Sequence, residues 1–151
     1  MGQQQLLLLV LGIVIVGLAV VVGIQAFSEN QKKANADAMV NDVIRIASDA
    51  QAWKLKPQAF GGGASVADGF SGLTLQQLGY TVGDNAYTKG SGEGGFENLN
   101  GVYKIVAGTS LVITGQSFGT SATDIVNQVV ATVTGTEPKD ITTVITQPTA
   151  Q

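Results

Sequence analysis

The chain contains no cysteine and no histidine. The first absence excludes disulfide staples and thiol catalysis. The second removes the imidazole base of common hydrolytic triads, and together they exclude zinc sites of the Cys/His kind. Such a chain is held by its core and its neighbours. Charge is also scarce, at 13% of 151 residues, and the first ionisable side chain is Glu29. From Pro57 onward three lysines (Lys89, Lys104, Lys139) face seven acids. That balance leaves no basic footprint for nucleic acid. No P-loop and no G-x-S-x-G elbow occurs. "GSGEGG" (Gly90 to Gly95) neither opens an obvious helix nor follows a clear strand, so it lacks the helix N-terminus of a phosphate cradle. The chain reads as a non-enzyme.

What is present begins with "QQQLLLLVLGIVIVGLAVVVGIQAF". Leu6 to Ile24 carries no charged or polar side chain. About 20 apolar residues are what a helix needs to cross a bilayer core of about 30 Å. No basic residue precedes the run and no small-residue cleavage pattern follows it, so it reads as retained and not as a cleaved signal. Lys32 and Lys33 follow the span. Taken alone, the positive-inside rule would keep the residues after them cytoplasmic.

Proline and glycine are both missing from Ser28 to Lys56, so nothing interrupts a helix there. Ala36, Met39, Val40, Val43, Ile44, Ala47, Ala50 and Trp53 recur at three- and four-residue spacing and form one apolar stripe. Lys33 with Asp37 and Arg45 with Asp49 are spaced to pair along the helix surface. Pro57 ends the run, because the residue before proline is pushed out of the helical region. The expectation is one helix from Gln3 to Lys56, roughly 80 Å long at 1.5 Å per residue. A small domain cannot bury that length.

After Pro57 the chain turns Gly-rich, with "FGGGAS" (Phe60 to Ser65) and "KGSGEGG" (Lys89 to Gly95) marking tight or special backbone. "LTLQQLGYTV" fits a short helix or a strand. Trp53, Phe60, Phe70, Tyr80, Phe96 and Tyr103 are expected in the core. "GVYKIVAG" alternates, with Tyr103, Ile105 and Ala107 on one face, and Gly108-Thr109 signals a hairpin into "SLVITGQS". "VVATVTG" and "DITTVIT" flank a turn at "TEPK". Thr and Val suit strands. Three or four antiparallel strands should pack on the helix stripe, with a short helical turn opening Ser121 to Gln128.

One cluster has the chemistry of a cation site. Asp84, Asn85, Glu93, Glu97, Asn98 and Asn100 fall close in sequence, and a hard cation such as calcium takes oxygens of this kind, with Asp84, Glu93 and Glu97 as its charged ligands. The spacing does not match an EF-hand, and the plainer reading is a solvated acidic loop.

A long N-terminal helix, apolar first and amphipathic second, leading to a Gly-rich loop and a short antiparallel sheet, resembles a type IV pilin or a type II secretion pseudopilin. The resemblance covers the whole chain and rests on this pattern. It implies an α+β fold in four parts: residues 1–27 a transmembrane or filament-core helix, 28–56 its amphipathic continuation, 57–100 a Gly-rich variable connection, and 101–151 the sheet. It implies a structural subunit of a pilus-like extracellular filament, held in the cytoplasmic membrane before assembly and handled by pilus or secretion machinery. Its principal partner would be itself, with no cofactor required. Polymerisation would run through Gln5, Leu6, Leu9, Gly12, Ile13, Val16, Gly17 and Val20. The small residues Gly12 and Gly17 would allow close helix approach. Counted from Met1, Gln5 stands where that family has a glutamate; counted from cleavage after Gly2, Leu7 does. A pseudopilin of a secretion machine and a monomeric bitopic protein with a ligand-binding head are the alternative readings of the same pattern.

Overall fold

The structure, a computed structural model, describes residues 2–65, 67, 69–86, 94–119 and 124–146, with the side chains of 84–86 and 94 left aside. Helix α1 runs Gly2–Leu55. Six strands follow: β1 Val82–Ala86, β2 Gly94–Glu97, β3 Val102–Ala107, β4 Leu111–Phe118, β5 Ile125–Val133 and β6 Ile141–Thr146. They form one antiparallel sheet in the order β1-β2-β3-β4-β5-β6. The fold is α+β, a long helix packed on an antiparallel meander. The chain divides into two compact units, Met1–Ala34 and Asn35–Gln151. The described part of the first is helix alone.

In the second unit, the part of α1 from Asn35 lies over the sheet. Ala36, Met39, Val43, Ile46, Ala47, Ala50 and Trp53 are buried along it. The stripe expected from sequence is rotated slightly. Ile46, omitted from it, is buried, while Ile44 is 40% exposed and Gln51 is buried in its stead. Gln51 is held inside by its amide, which donates to the carbonyls of Gly135 and Glu137, each at 2.9 Å. These bonds satisfy a polar group that would otherwise be costly to bury.

The helix-facing sheet residues follow the two-residue period. Tyr103 on β3, Leu111 and Ile113 on β4, and Val129, Ala131 and Val133 on β5 are all buried in one core with the helix stripe. The cross-strand pairs Tyr103 with Gly115, Ile113 with Ala131, and Val133 with Ile141 place them on one face. Phe70, Leu73, Leu75 and Tyr80, from the connection, complete this core.

Two strands more than the upper expectation are present. β1 and β2 arise inside the Gly-rich connection, whose Gly, Asp and Asn residues have low strand propensity. Pairing outweighs propensity: β2 joins β3 through Phe96 opposite Tyr103. "LTLQQLGYTV" is neither helix nor strand at first, but turns from Thr74 to Gly79 before β1 begins at Val82. Ile125 to Gln128 is strand, and the helical turn expected to open this stretch, capped by Ser121 or Thr123, falls on the residues before it. Residues 121–123 lie outside the described ones. β5 pairs with β4 from Ile125 onward, so the extended conformation is fixed by its neighbour.

Pro57 follows the end of α1, and a single 3-10 turn, Gln58–Phe60, leads away. Phe60 is 72% exposed, against its expected place in the core. The space beside Trp53 is taken by backbone. The indole N–H donates to Gly61 O at 3.1 Å, and a Cβ at Gly63 would collide with the indole ring. Gly115 is matched in the same way to Tyr103. A Cβ there would lie 2.8 Å from the Tyr103 ring and 3.3 Å from Val43.

Replacing Gly115 with Val should therefore overpack the helix–sheet interface and cost about 1–3 kcal/mol. Denaturant unfolding of the full chain in detergent, followed by fluorescence of the sole tryptophan, Trp53, measures it. An unchanged midpoint would show that the Tyr103 ring can move aside freely.

Candidate functional site

The first candidate surface is the apolar part of α1. From Leu6 to Phe27 sixteen large apolar side chains are 50–69% exposed. Full burial of such side chains is worth about 1.5–3 kcal/mol each, so on the order of 30 kcal/mol separates this surface in water from the same surface covered. The helix contains one segment long and apolar enough to cross a membrane, none of it buried in the chain's own fold. Leu6 to Phe27 would span about 33 Å at helical rise, close to the hydrocarbon thickness. It is apolar all round, which is the pattern of a helix covered on every side.

The residues expected to mediate polymerisation all lie on this helix and are all exposed: Gln5, Leu6, Leu9, Gly12, Ile13, Val16, Gly17 and Val20. At about 100° per residue they fall within an arc of roughly 140°. A Cβ added at Gly12 or Gly17 would meet nothing within 4 Å. Both glycines are thus open notches on that arc, where a second backbone has room to approach.

The second surface is polar and lies where α1 meets the β2–β3 hairpin. Asp42 Oδ2 accepts three hydrogen bonds, from Asn98 Nδ2, Asn100 Nδ2 and Tyr103 Oη, each at 2.8 Å. Asn98 Oδ1 accepts from the backbone N–H groups of Asn100 (2.8 Å) and Gly101 (3.1 Å). Asn35 donates to Asn100 O at 3.0 Å and accepts from Asn127 Nδ2 at 3.1 Å. The turn Asn98–Gly101 is thereby fastened to the helix from two sides. Two helical turns on, Tyr80 donates to Asp49 Oδ2 at 2.5 Å, and the Arg45 guanidinium sits 5.8 Å from the Tyr80 ring centroid. Asp49 thus serves Tyr80, with Arg45 stacked beside it, in a three-member arrangement wider than the simple i, i+4 pair.

Burial pushes the Asp42 carboxyl up. The bonds from Asn100, Asn98 and Tyr103, with the Arg45 charge, outweigh burial and hold it below the ordinary carboxylate value. Burial first, then the bond and charge of Asp49, push the Tyr80 hydroxyl up to about 12. Tyr103 is raised further by burial and by Asp42.

This arrangement bears on the calcium expectation. Glu93 lies outside the described residues, as does the side chain of Asp84. Glu97 is exposed on β2. Asn98 and Asn100 turn their amide N–H groups to Asp42. Among the described residues no group of three or more acidic, His or Cys side chains converges. Comparison with protein-family models, with curated proteins and with solved structures found no match. The reading of this chain therefore rests on its own residues. The Asp42 node was not foreseen. Its one sequence signal is "NLNG" (Asn98 to Gly101), which reads as a turn but does not name the carboxylate 56 residues upstream that anchors it.

The titration signs give a test. A lowered carboxyl contributes stability above its ordinary value of 3.8 and loses it as pH falls through the lower folded value. A raised phenol contributes stability below 10.0 and loses it as pH rises toward about 12. The head should lose stability below pH 3.8 and again above pH 10.0. Asp42→Ala should flatten the acid limb and cost about 2 kcal/mol at neutral pH, because it strands the buried Tyr103 hydroxyl. Unfolding midpoints across pH, read by Trp53 fluorescence, check both limbs. The phenolate absorbance of Tyr80 should stay suppressed at pH 10.0 while the fold holds.

Proposed function

We propose that this chain is the structural subunit of a pilus-like extracellular filament, polymerising through its N-terminal apolar helix. The carrying observation is that Leu6 to Phe27 is apolar on every side and exposed throughout. Such a surface has two stable fates, lipid before assembly and copies of the same helix after it. Exchange of one for the other keeps apolar contact and changes free energy little, since lipid tails and Leu side chains are equally apolar. Association then rests on packing. The arc carrying Leu9, Gly12, Ile13, Val16, Gly17 and Val20 provides that packing, with Gly12 and Gly17 as the points of closest approach.

The two-unit organisation supports the same reading. The unit from Asn35 onward has its own core, and the helix before it is left to lipid or to copies of itself. The chain waits in the cytoplasmic membrane with the amino terminus inward, an orientation that the basic pair Lys32 and Lys33 opposes and that a filament outside the cell requires. Assembly machinery then draws it into the filament, where the Gly- and Thr-rich head forms the outer shell.

Leu9→Asp and Ile13→Asp test the proposal on the full chain. A charged side chain costs up to about 3 kcal/mol inside an apolar span, and it disfavours the helix in lipid and in a packed helix core alike. Each variant should lose sedimentable filaments in electron micrographs and retain the Trp53 unfolding midpoint of the parent. Filaments that persist with both substitutions would overturn the role of the helix. A parent chain that remains monomeric at native expression would overturn the filament itself.

A further inference from the structure

The β2–β3 turn carries a side chain that the head leaves wholly uncovered. Leu99 is the most exposed large apolar residue among those described. A lone exposed leucine is ordinary on a protein surface, but this one stands on a fixed mount. Asn98 N–H donates to Gly101 O at 3.0 Å. Asn98 and Asn100, on either side of Leu99, are tied to Asp42 and Asn35. The backbone that presents Leu99 is therefore ordered before any partner arrives, which lowers the entropic cost of using it as an anchor.

The other end of β3 borders a cleft. Pairing with β2 reaches along β3 only to Tyr103. Past it, between β3 and the segment from Gly72, lies a cavity of about 530 Å³ walled by Leu73, Leu75, Val82, Ile105, Val106 and Ala107. That is within the usual size of a binding cleft, about 300–1,000 Å³. Val106 is 56% exposed, so the cleft is open to solvent. The bond between Asn98 and Gly101 sets the alternation: the N–H and C=O groups of Tyr103, Ile105 and Ala107 turn to the β2 side. Tyr103 meets Phe96 there, while Ile105 and Ala107 open on the cleft. Among the described residues no strand pairs with those two on that side.

We propose that Leu99 of one copy of this chain docks in the cleft beside Ile105 and Ala107 of the next, a head-to-tail contact between heads. The inference rests on the filament reading and adds a head contact to it. Placement, chemistry and charge identify the occupant. Anchor and cleft lie at opposite ends of β3, about 15 Å apart at strand rise, and Leu99 is fully exposed, so it does not fill its own cleft. Each copy thus offers one anchor and receives one. Two different patches meeting in this way form a heterologous contact, which repeats from copy to copy without closing, as a filament requires. The leucine side chain matches the apolar walls, and the open peptide groups of Ile105 and Ala107 give the incoming turn partners. The charges nearest the anchor, Glu97 on β2 and Asp42 beneath the turn, are negative. The one charged residue that lines the cleft is Lys104, so opposite signs meet. A contact built on one leucine is far short of the roughly 800 Å² per partner of a stable free interface. It works between heads that associated helices already hold close.

The chain has no cysteine, so introduced thiols report on this contact without background. Gln76 lies on the rim of the cleft. The full chain carrying Leu99→Cys and Gln76→Cys, assembled and then oxidised, should give a ladder of covalent multimers on a denaturing gel. Either single variant should stay monomeric there, and Leu99→Cys combined with Val144→Cys, on β6, should give no ladder. Leu99→Ser should raise the concentration needed for assembly about tenfold or more, the equivalent of losing one buried leucine. Its Trp53 unfolding midpoint should match the parent, because Leu99 buries nothing in its own head. Leu55→Ser, at a leucine 66% exposed at the end of α1, should leave assembly unchanged. Filaments of the double variant that give no ladder, a ladder from the control pair, or parental assembly by Leu99→Ser would each overturn the proposal. Dimers without higher multimers would mark a two-fold contact and overturn it as well. Failure of the parent itself to assemble overturns the filament reading first, and this inference with it.

Discussion

The head has one helix over one sheet, so a single apolar interface holds it together. Its large contact residues, among them Met39, Ile46, Tyr103, Leu111 and Ile113, are interleaved with small ones. Ala36, Ala47 and Ala50 on the helix and Gly115 and Ala131 on the sheet leave the room that the large side chains fill, as Gly115 does for the Tyr103 ring. Close packing of this kind recovers dispersion contacts that a looser seam would forfeit. The polar fastenings at Asp42, Asp49 and Gln51 depend on it. They sit at the borders of the stripe and reach their partners only because the sheet is held that near.

This arrangement also explains why the chain manages without cysteine. Tyr103 lies at the centre of the core, with its ring over Gly115 and its hydroxyl on Asp42. Phe96 stacks against it at 5.9 Å and Tyr80 against Phe96 at 4.8 Å. The aromatic row ties the β1–β2 hairpin, which has weak strand propensity, to the helix. A covalent staple would serve the same hairpin elsewhere; here the row and the Asp42 node do so.

Helix α1 was legible because its two hydrophobic patterns are long and uninterrupted. The break at Pro57 and the alternation of Tyr103, Ile105 and Ala107 were legible for similarly local reasons. What stayed hidden was set by distant partners. β1 and β2 form because β3 offers an edge, which no local propensity reveals. Ile44 and Ile46 exchange places because the sheet lies a few tens of degrees around the helix from where the spacing alone centres it. Phe60 is left outside because Gly63 packs against the Trp53 ring and Gly61 O takes the indole N–H. The Asp42 node joins residues far apart in sequence and carries only a turn motif as its mark. The apolar surface of the first helix could be read completely, since its exposure follows from composition.

The hydrogen bonds around α1 also make the head lopsided. One flank gathers Asp42, Arg45, Asp49, Tyr80 and Tyr103, and the other meets its sheet through the neutral amide of Gln51. Shifts of acidity therefore act first on the flank that holds the perturbed carboxyl and phenols. The opposite border is tied to the sheet by neutral amide bonds, with the exposed Glu137–Lys139 pair outside them.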